Sequence, residues 1–196
     1  MDIYEEDEKA GGYLRYGIPV YRLPGGIVDV EISRIVNLGA EIKYNVTIGK
    51  DVTMADLKAG QDAVVVAVGA SEAKMLPMFE GNPYVETAVD FSARVKEAKG
   101  DIDNIPASAV VGGGDVAMDV ATTLERLDVK NVTDLVYEEF DEFKASKKEL
   151  DATQKAGVTI VDGYVPTDVD GNTVTFKHRH LDSEMTIKTD LIILAV

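Results

Sequence analysis

Apolar positions change their period several times along the chain, and each change marks an element. Val28, Ile32, Ile35 and Val36 recur at helical spacing over residues 28–38, which predicts an amphipathic helix closed by Gly39 at its C′ position. Ile42, Tyr44, Val46 and Ile48 then alternate as a half-buried strand would. Thr53 is placed to cap a short helix through Leu57. Ala63-Val64-Val65-Val66-Ala67-Val68 is a continuous apolar run ended by Gly69, the pattern of a parallel strand buried on both faces. Residues 70–84, with Gly81 and two prolines, read as irregular, and residues 90–98 as a helix. A polar linker over 99–106 is the expected domain boundary, giving segments 1–98 and 99–196.

The second segment is more regular. Residues 107–111 predict a strand that runs straight into Gly112-Gly113-Gly114. Residues 115–127 then follow a helical period, with Val116, Val120, Ala121, Leu124 and Leu127 expected to face inward. Residues 132–137 predict the next strand. Ser146 with Glu149 forms a capping-box pattern before a helix ending at Gly157. A strand is expected over 158–161, a hairpin about Asp170-Gly171, a second turn at Asp182-Ser183 and a last buried strand over 191–196. This alternation predicts an α/β fold: a Rossmann-like parallel sheet with an antiparallel β excursion.

Composition narrows the functional classes. The 196 residues are 45% hydrophobic, enough for a core, and carry a net charge of −15. So acidic a chain offers no basic surface to nucleic acid and fits a soluble cytoplasmic protein. Cysteine is absent, which excludes disulfides and iron–sulfur ligation by this chain. No apolar run reaches the roughly 20 residues of a membrane span. The first residues, Met1-Asp2-Ile3-Tyr4-Glu5-Glu6, are acidic where a signal peptide would be basic.

The chemistry centres on Gly112-Gly113-Gly114-Asp115-Val116-Ala117, which fits G-x-G-x-x-A. Gly112 would make the tight turn, Gly114 would let a pyrophosphate approach the backbone, and Ala117 would let helix and strand pack closely. Helix N–H groups and the positive end of the dipole would then hold the phosphates. The plain alternative is a tight turn with no ligand. Glu138 and Glu139 follow the next strand at the distance where a carboxylate takes the adenosine ribose hydroxyls, which favours NAD; the alternative is two solvated loop acids. His178 and His180 share a strand face, but no third metal ligand is near in sequence, so surface histidines are the expectation. Asp119, one turn into the glycine-turn helix, is either a ligand contact or a polar residue near the helix's positive end.

Gly11-Gly12-Tyr13-Leu14-Arg15-Tyr16-Gly17-Ile18-Pro19, followed by Tyr21-Arg22-Leu23-Pro24, resembles the flavin-proximal loop of the glutamate synthase small (beta) subunit family. That family includes related NAD(P)H-dependent flavoproteins and is similar to the flavin region of dihydropyrimidine dehydrogenase. The likeness continues through Asn45 to Asp51, Asp62 to Ala70, Gly112 to Asp119 and Asp190 to Val196. It implies two dinucleotide sites, one for FAD and one for NAD(P)H, with hydride passing between them and electrons leaving through iron–sulfur centres to a partner subunit. By motif position, Glu5 would meet the flavin's ribose, Gly12 and Leu14 would lie along the FAD, Val46 would contact the adenine through its backbone, and Gly69 would lie near the pyrophosphate. Gly112 to Val116 would hold the nicotinamide dinucleotide.

The chain departs from the family in three ways. It looks like an internal fragment, lacking the family's cysteine-rich segment, its first glycine-rich turn and its C-terminal flavin segment. FAD is therefore expected to bind weakly or not at all, leaving the fragment alone inactive. Where the family has Tyr-Arg-Arg, this chain has Tyr137-Glu138-Glu139, which predicts NAD(H) over NADP(H). A non-catalytic dinucleotide-binding or redox-sensing module is the competing expectation, and a ligand-free remnant active only in protein contacts is the third.

Overall fold

The structure, a computed structural model, describes residues 1–70, 72–98 and 108–196. It divides into two units, Met1–Ser71 and Glu72–Val196. The expected linker over 99–106 lies outside the described residues. Residues 85–97, which the sequence grouped with the first half, form a strand and helix that pack within the second unit.

In the first unit, β1 (Asp2–Tyr4) pairs in parallel with β2 (Glu41–Lys43), Ile3 opposite Ile42. Between them lie α1 (Gly12–Tyr16) and α2 (Gly25–Asn37). The second helix starts just after Pro24, three residues ahead of the expected start. Val28 is buried, but Ile35 and Val36, expected on the same inward face, are each 43% exposed. α3 (Met54–Gly60) begins with the cap expected at Thr53, whose hydroxyl takes the Asp56 N–H while the Asp56 carboxylate takes the Thr53 N–H.

Two expected strands differ. The alternation over 42–48 is strand only to Lys43, because Asn45 turns the chain at φ +57°. The valine run pairs with no described strand, and Val65 and Val68 stand 87% and 79% exposed. A parallel strand is buried only when neighbours take its N–H and C=O groups and helices cover its faces. Among the described residues neither is supplied.

The second unit is three-layered. Five parallel strands, β3 (Val85–Thr87), β4 (Ser108–Val111), β5 (Val132–Leu135), β6 (Thr159–Val161) and β10 (Leu191–Leu194), lie in the order β3-β10-β4-β5-β6. The last strand in sequence sits beside β4, with Leu194 opposite Val111. α4 (Ala88–Glu97), α5 (Asp115–Arg126) and α6 (Lys147–Ala156) bury Phe91, Met118, Val120, Ala121, Leu124 and Leu150 with one face of the sheet. The other face meets an antiparallel sheet of β7 (Tyr164–Asp170), β8 (Thr173–His178) and β9 (Glu184–Lys188), the expected excursion, with its first turn at Gly171 (φ +57°). Alternation along β8 points Val174 and Phe176 inward, both 0% exposed, onto Phe79, Leu135 and Ile192. Phe79 comes from a 3-10 turn, Pro77–Phe79, inside the segment expected to be irregular. Ser146 and Gly157 bound α6 as their pattern predicts, the second in the left-handed region at φ +106°.

Candidate functional site

β4 leads into Gly112-Gly113-Gly114, α5 leads out, and the three glycines have different surroundings. A side chain on Gly112 would run into the backbone of Ala195, whose carbonyl carbon lies 2.9 Å from the Cβ position. Gly112 is also fixed by its N–H donating to Leu135 O at 3.1 Å. On Gly113 a side chain would meet Val136 and come within 2.9 Å of Glu138 Oε2. Beside Gly114 nothing lies within 4 Å. Gly114 is the N-cap of α5, and no side chain caps that end. The first-turn N–H groups, at the positive end of the dipole, therefore keep their hydrogen-bonding capacity next to an open space. Ala117 is fully buried under the turn.

Asp115 and Val116 are exposed, which corrects the inward placing of Val116. Val116 sits in the first turn, where α5 has only just left the end of the sheet. Asp115 anchors a neighbouring loop, its Oδ1 accepting the Ser146 N–H at 2.7 Å. Beside it the Ala145 N–H donates to Gly113 O at 3.1 Å. Together they tie the loop before α6 onto the glycine turn. Asp119 lies half-buried one turn further along α5.

The end of β5 forms a charged wall next to this turn. Glu138 Oε1 pairs with Lys144 Nζ at 2.7 Å, and the ammonium holds the carboxyl below its usual range. The other oxygen of Glu138 is the one that faces Gly113. Glu139 caps a 3-10 turn, Phe140–Glu142, and lies 3.8 Å from His180 Nε2. Arg179, at the end of β8, stacks over the Tyr137 ring at 4.2 Å and donates to Tyr137 O at 3.1 Å and Glu142 Oε2 at 3.0 Å. Its guanidinium holds the Glu142 carboxyl low. Sequence reasoning missed Lys144 and Arg179. Neither sits in a periodic or motif position, and only the folded loop and hairpin bring them to the acids.

His178 and His180 do not converge: His178 Nδ1 accepts the N–H groups of His180 and Leu181, each at 3.1 Å, while His180 faces Glu139. Among the described residues no three metal-ligating side chains cluster, and no helix is long and apolar enough to cross a membrane. A last titratable group lies deep in the sheet. Asp134, 0% exposed on β5, has no hydrogen-bond partner for either oxygen, and burial pushes its carboxyl well above the usual range.

In the first unit Glu5 and Val46 are brought together, the Val46 N–H donating to Glu5 O at 2.9 Å. Gly12 (φ +45°) and Leu14, which is 53% exposed, are on α1, and Gly69 (φ +72°) ends the exposed valine run. A flavin pyrophosphate requires a cradle like the one at Gly114. Here β1 runs into Glu5-Glu6-Asp7-Glu8, carboxylates that repel a phosphate, and α1 has only five residues. Among the described residues, neither the end of β1 nor the start of α1 offers FAD such a cradle.

Parallel sheet, uncapped helix start at a glycine turn and an acid beyond the next strand are the parts of a Rossmann-type α/β nucleotide-binding fold. Residues 27–196 match the pyridine nucleotide-disulphide oxidoreductase family, and the chain belongs to it. It is 52% identical, over 197 residues, to the NAD-dependent dihydropyrimidine dehydrogenase subunit PreT of Escherichia coli O157:H7, covering 100% of this chain and 47% of the relative. The chain thus spans about half the length of that relative. The glutamate synthase likeness is more distant: 27% over 170 residues to a putative NADPH glutamate synthase small chain of Cereibacter sphaeroides, 82% of this chain and 41% of that one. In fold it is similar to Mycobacterium tuberculosis FprA in complex with NADPH, with a TM-score of 0.78 at 15% identity over 100% of this chain and 63% of that one.

Proposed function

We propose that this chain is the nicotinamide-dinucleotide-binding part of a cytoplasmic flavoprotein oxidoreductase subunit, selective for NAD(H) over NADP(H). The observation that carries the reading is the open space at Gly114 beside the uncapped start of α5, with the Glu138 carboxylate next to the same turn. The first-turn N–H groups would bind the pyrophosphate, and Gly114 leaves it room. Glu138 would accept the adenosine ribose hydroxyls through the oxygen facing Gly113, its partner oxygen held by Lys144. Lys144, fixed from the following loop, and Asp115, which anchors that loop, would keep the carboxylate ionised and in place.

A bound reduced nicotinamide supplies a hydride, one hydrogen nucleus with two electrons, to a flavin. In the parent protein those electrons would leave to a partner, and the name of the relative at 52% identity supports pyrimidine reduction rather than glutamate synthesis as the process served. These 196 residues hold no cysteine, so they supply no thiolate ligand to an iron–sulfur centre. A second reading, a dinucleotide-binding module that holds no flavin, is favoured by the lack of a pyrophosphate cradle at the end of β1 and the start of α1. Flavin absorbance after incubation with FAD and gel filtration, together with NADH titration, tests the flavin and nicotinamide parts of the reading separately. NADH binding without retained flavin, and without NADH oxidation by the chain alone, is the expected result. Stoichiometric yellow flavin would overturn the expectation for FAD, and absence of NADH binding would overturn the reading itself.

A further inference from the structure

Building on the NAD(H) reading, we propose that Lys144 is a masked ligand for a 2′-phosphate and that Glu138 alone keeps it masked. The wall at the end of β5 does not lack cations. Lys144 is held on Glu138 at 2.7 Å, Arg179 on Glu142 at 3.0 Å, and His180 lies 3.8 Å from Glu139. Lys144 and Arg179 are each matched to one carboxylate, and the His180 imidazole faces a third. Selection against a 2′-phosphate is then a matter of which acid occupies each cation.

The three pairs differ in how readily they can be released. Arg179 is fixed in place, stacked on Tyr137 and bonded to its carbonyl as well as to Glu142. Glu139 is used to cap the 3-10 turn. The Lys144 side chain is 77% exposed on a long flexible stem, while its backbone neighbours Ala145 and Ser146 are pinned to Gly113 and Asp115. An ammonium on such a stem is a movable point charge able to follow a phosphate. Its ion pair is with Glu138, whose other oxygen lies over Gly113. Removing the charge of Glu138 with its shape kept would free Lys144 beside the position where a ribose 2′-substituent is expected, with Arg179 close by. The chain would then accept the phosphorylated coenzyme without any new arginine.

The test uses the whole chain, titrated calorimetrically with NADH, NADPH, 5′-AMP and 2′,5′-ADP. The variants are Glu138→Gln, Lys144→Met and the two combined, with Glu138→Ser as a second neutral replacement should the amide disturb the wall. The expected result is at least a tenfold gain in 2′,5′-ADP and NADPH affinity in Glu138→Gln. The gain should be lost when Lys144→Met is added, with 5′-AMP changing little across the last step. It should also weaken with salt, as an ammonium–phosphate contact does. Wild-type chain that binds neither NADH nor 5′-AMP would refute the underlying dinucleotide reading. Wild-type chain that binds NADH, combined with no NADPH gain in either neutral variant or a gain that survives Lys144→Met, would overturn this inference alone.

Discussion

Gly112 and Gly114 are two residues apart, yet alanine at each should fail in a different way. At Gly114 the backbone sits at φ −96° and ψ 176°, which alanine adopts freely, and no atom lies within 4 Å of the added methyl. Losing glycine at an N-cap costs about 0.5–1 kcal/mol. Restricting the unfolded chain returns about 0.4–1 kcal/mol. The net change in stability is therefore near zero. Binding should suffer, because the methyl would occupy the space through which, on the proposed reading, the pyrophosphate reaches the helix N–H groups. Each charge-assisted hydrogen bond lost is worth about 1.5–3 kcal/mol, or roughly ten- to a hundredfold in affinity. At Gly112 the methyl meets the Ala195 backbone just past the end of the adjoining strand β10, which cannot rotate away. There the cost falls on folding, about 1–3 kcal/mol or more. The assay is a thermal melt paired with NADH titration for both variants. Gly114→Ala with a wild-type melt and wild-type NADH affinity would refute the assignment of that space to the pyrophosphate.

Three further outcomes are expected from the same geometry. Burial raises the Asp134 carboxyl above its usual range, so between that range and its raised native pKa the folded state holds the extra proton and stability falls as pH rises. Asp134→Asn should gain on wild type by up to about 1.4 kcal/mol per pH unit over that window and run level with it at low pH; parallel melting curves from pH 4 to 8 would sink the idea. Asp115→Ala should raise hydrogen exchange at the Ser146 amide, whose acceptor it removes, and weaken NADH binding through the loosened Lys144 loop; unchanged protection at Ser146 contradicts this. Arg179→Lys should lower the melting temperature nearly as far as Arg179→Ala, since the planar guanidinium stack on Tyr137 is lost in both; full rescue by lysine would show that charge and the two bonds from Nη1 are what matter there.

The second unit was legible in the sequence because its signals were local and mutually consistent. Strand, triple glycine and amphipathic helix stood in order, Ser146 and Gly157 punctuated α6, and Asp170-Gly171 announced a hairpin. Three features there escaped. β3 is a three-residue strand, Val-Glu-Thr, with no run to detect, and it exists because β10 offers it an edge. Lys144 and Arg179 reach the site through a loop and a hairpin that no periodicity links to the acids. Asp134 reads as an ordinary polar position on a strand, and its burial is a product of the layers closing over the sheet. The first unit was less legible for a different reason. Apolar patterning states what a segment would bury, and residues 63–68 carry the pattern of a buried strand without forming one. Whether that surface is buried depends on neighbours, and among the described residues none pairs with the run.

A glycine turn proposed to hold a nicotinamide dinucleotide, beside acids proposed to choose which one, makes a joint demand on affinity and selectivity. Calorimetric titration of the purified chain with NADH and NADPH under one buffer and salt concentration tests both halves together. Saturable one-to-one binding of NADH, at least tenfold tighter than NADPH, is the predicted result. Absence of binding for either coenzyme, or tighter binding of NADPH, would contradict it.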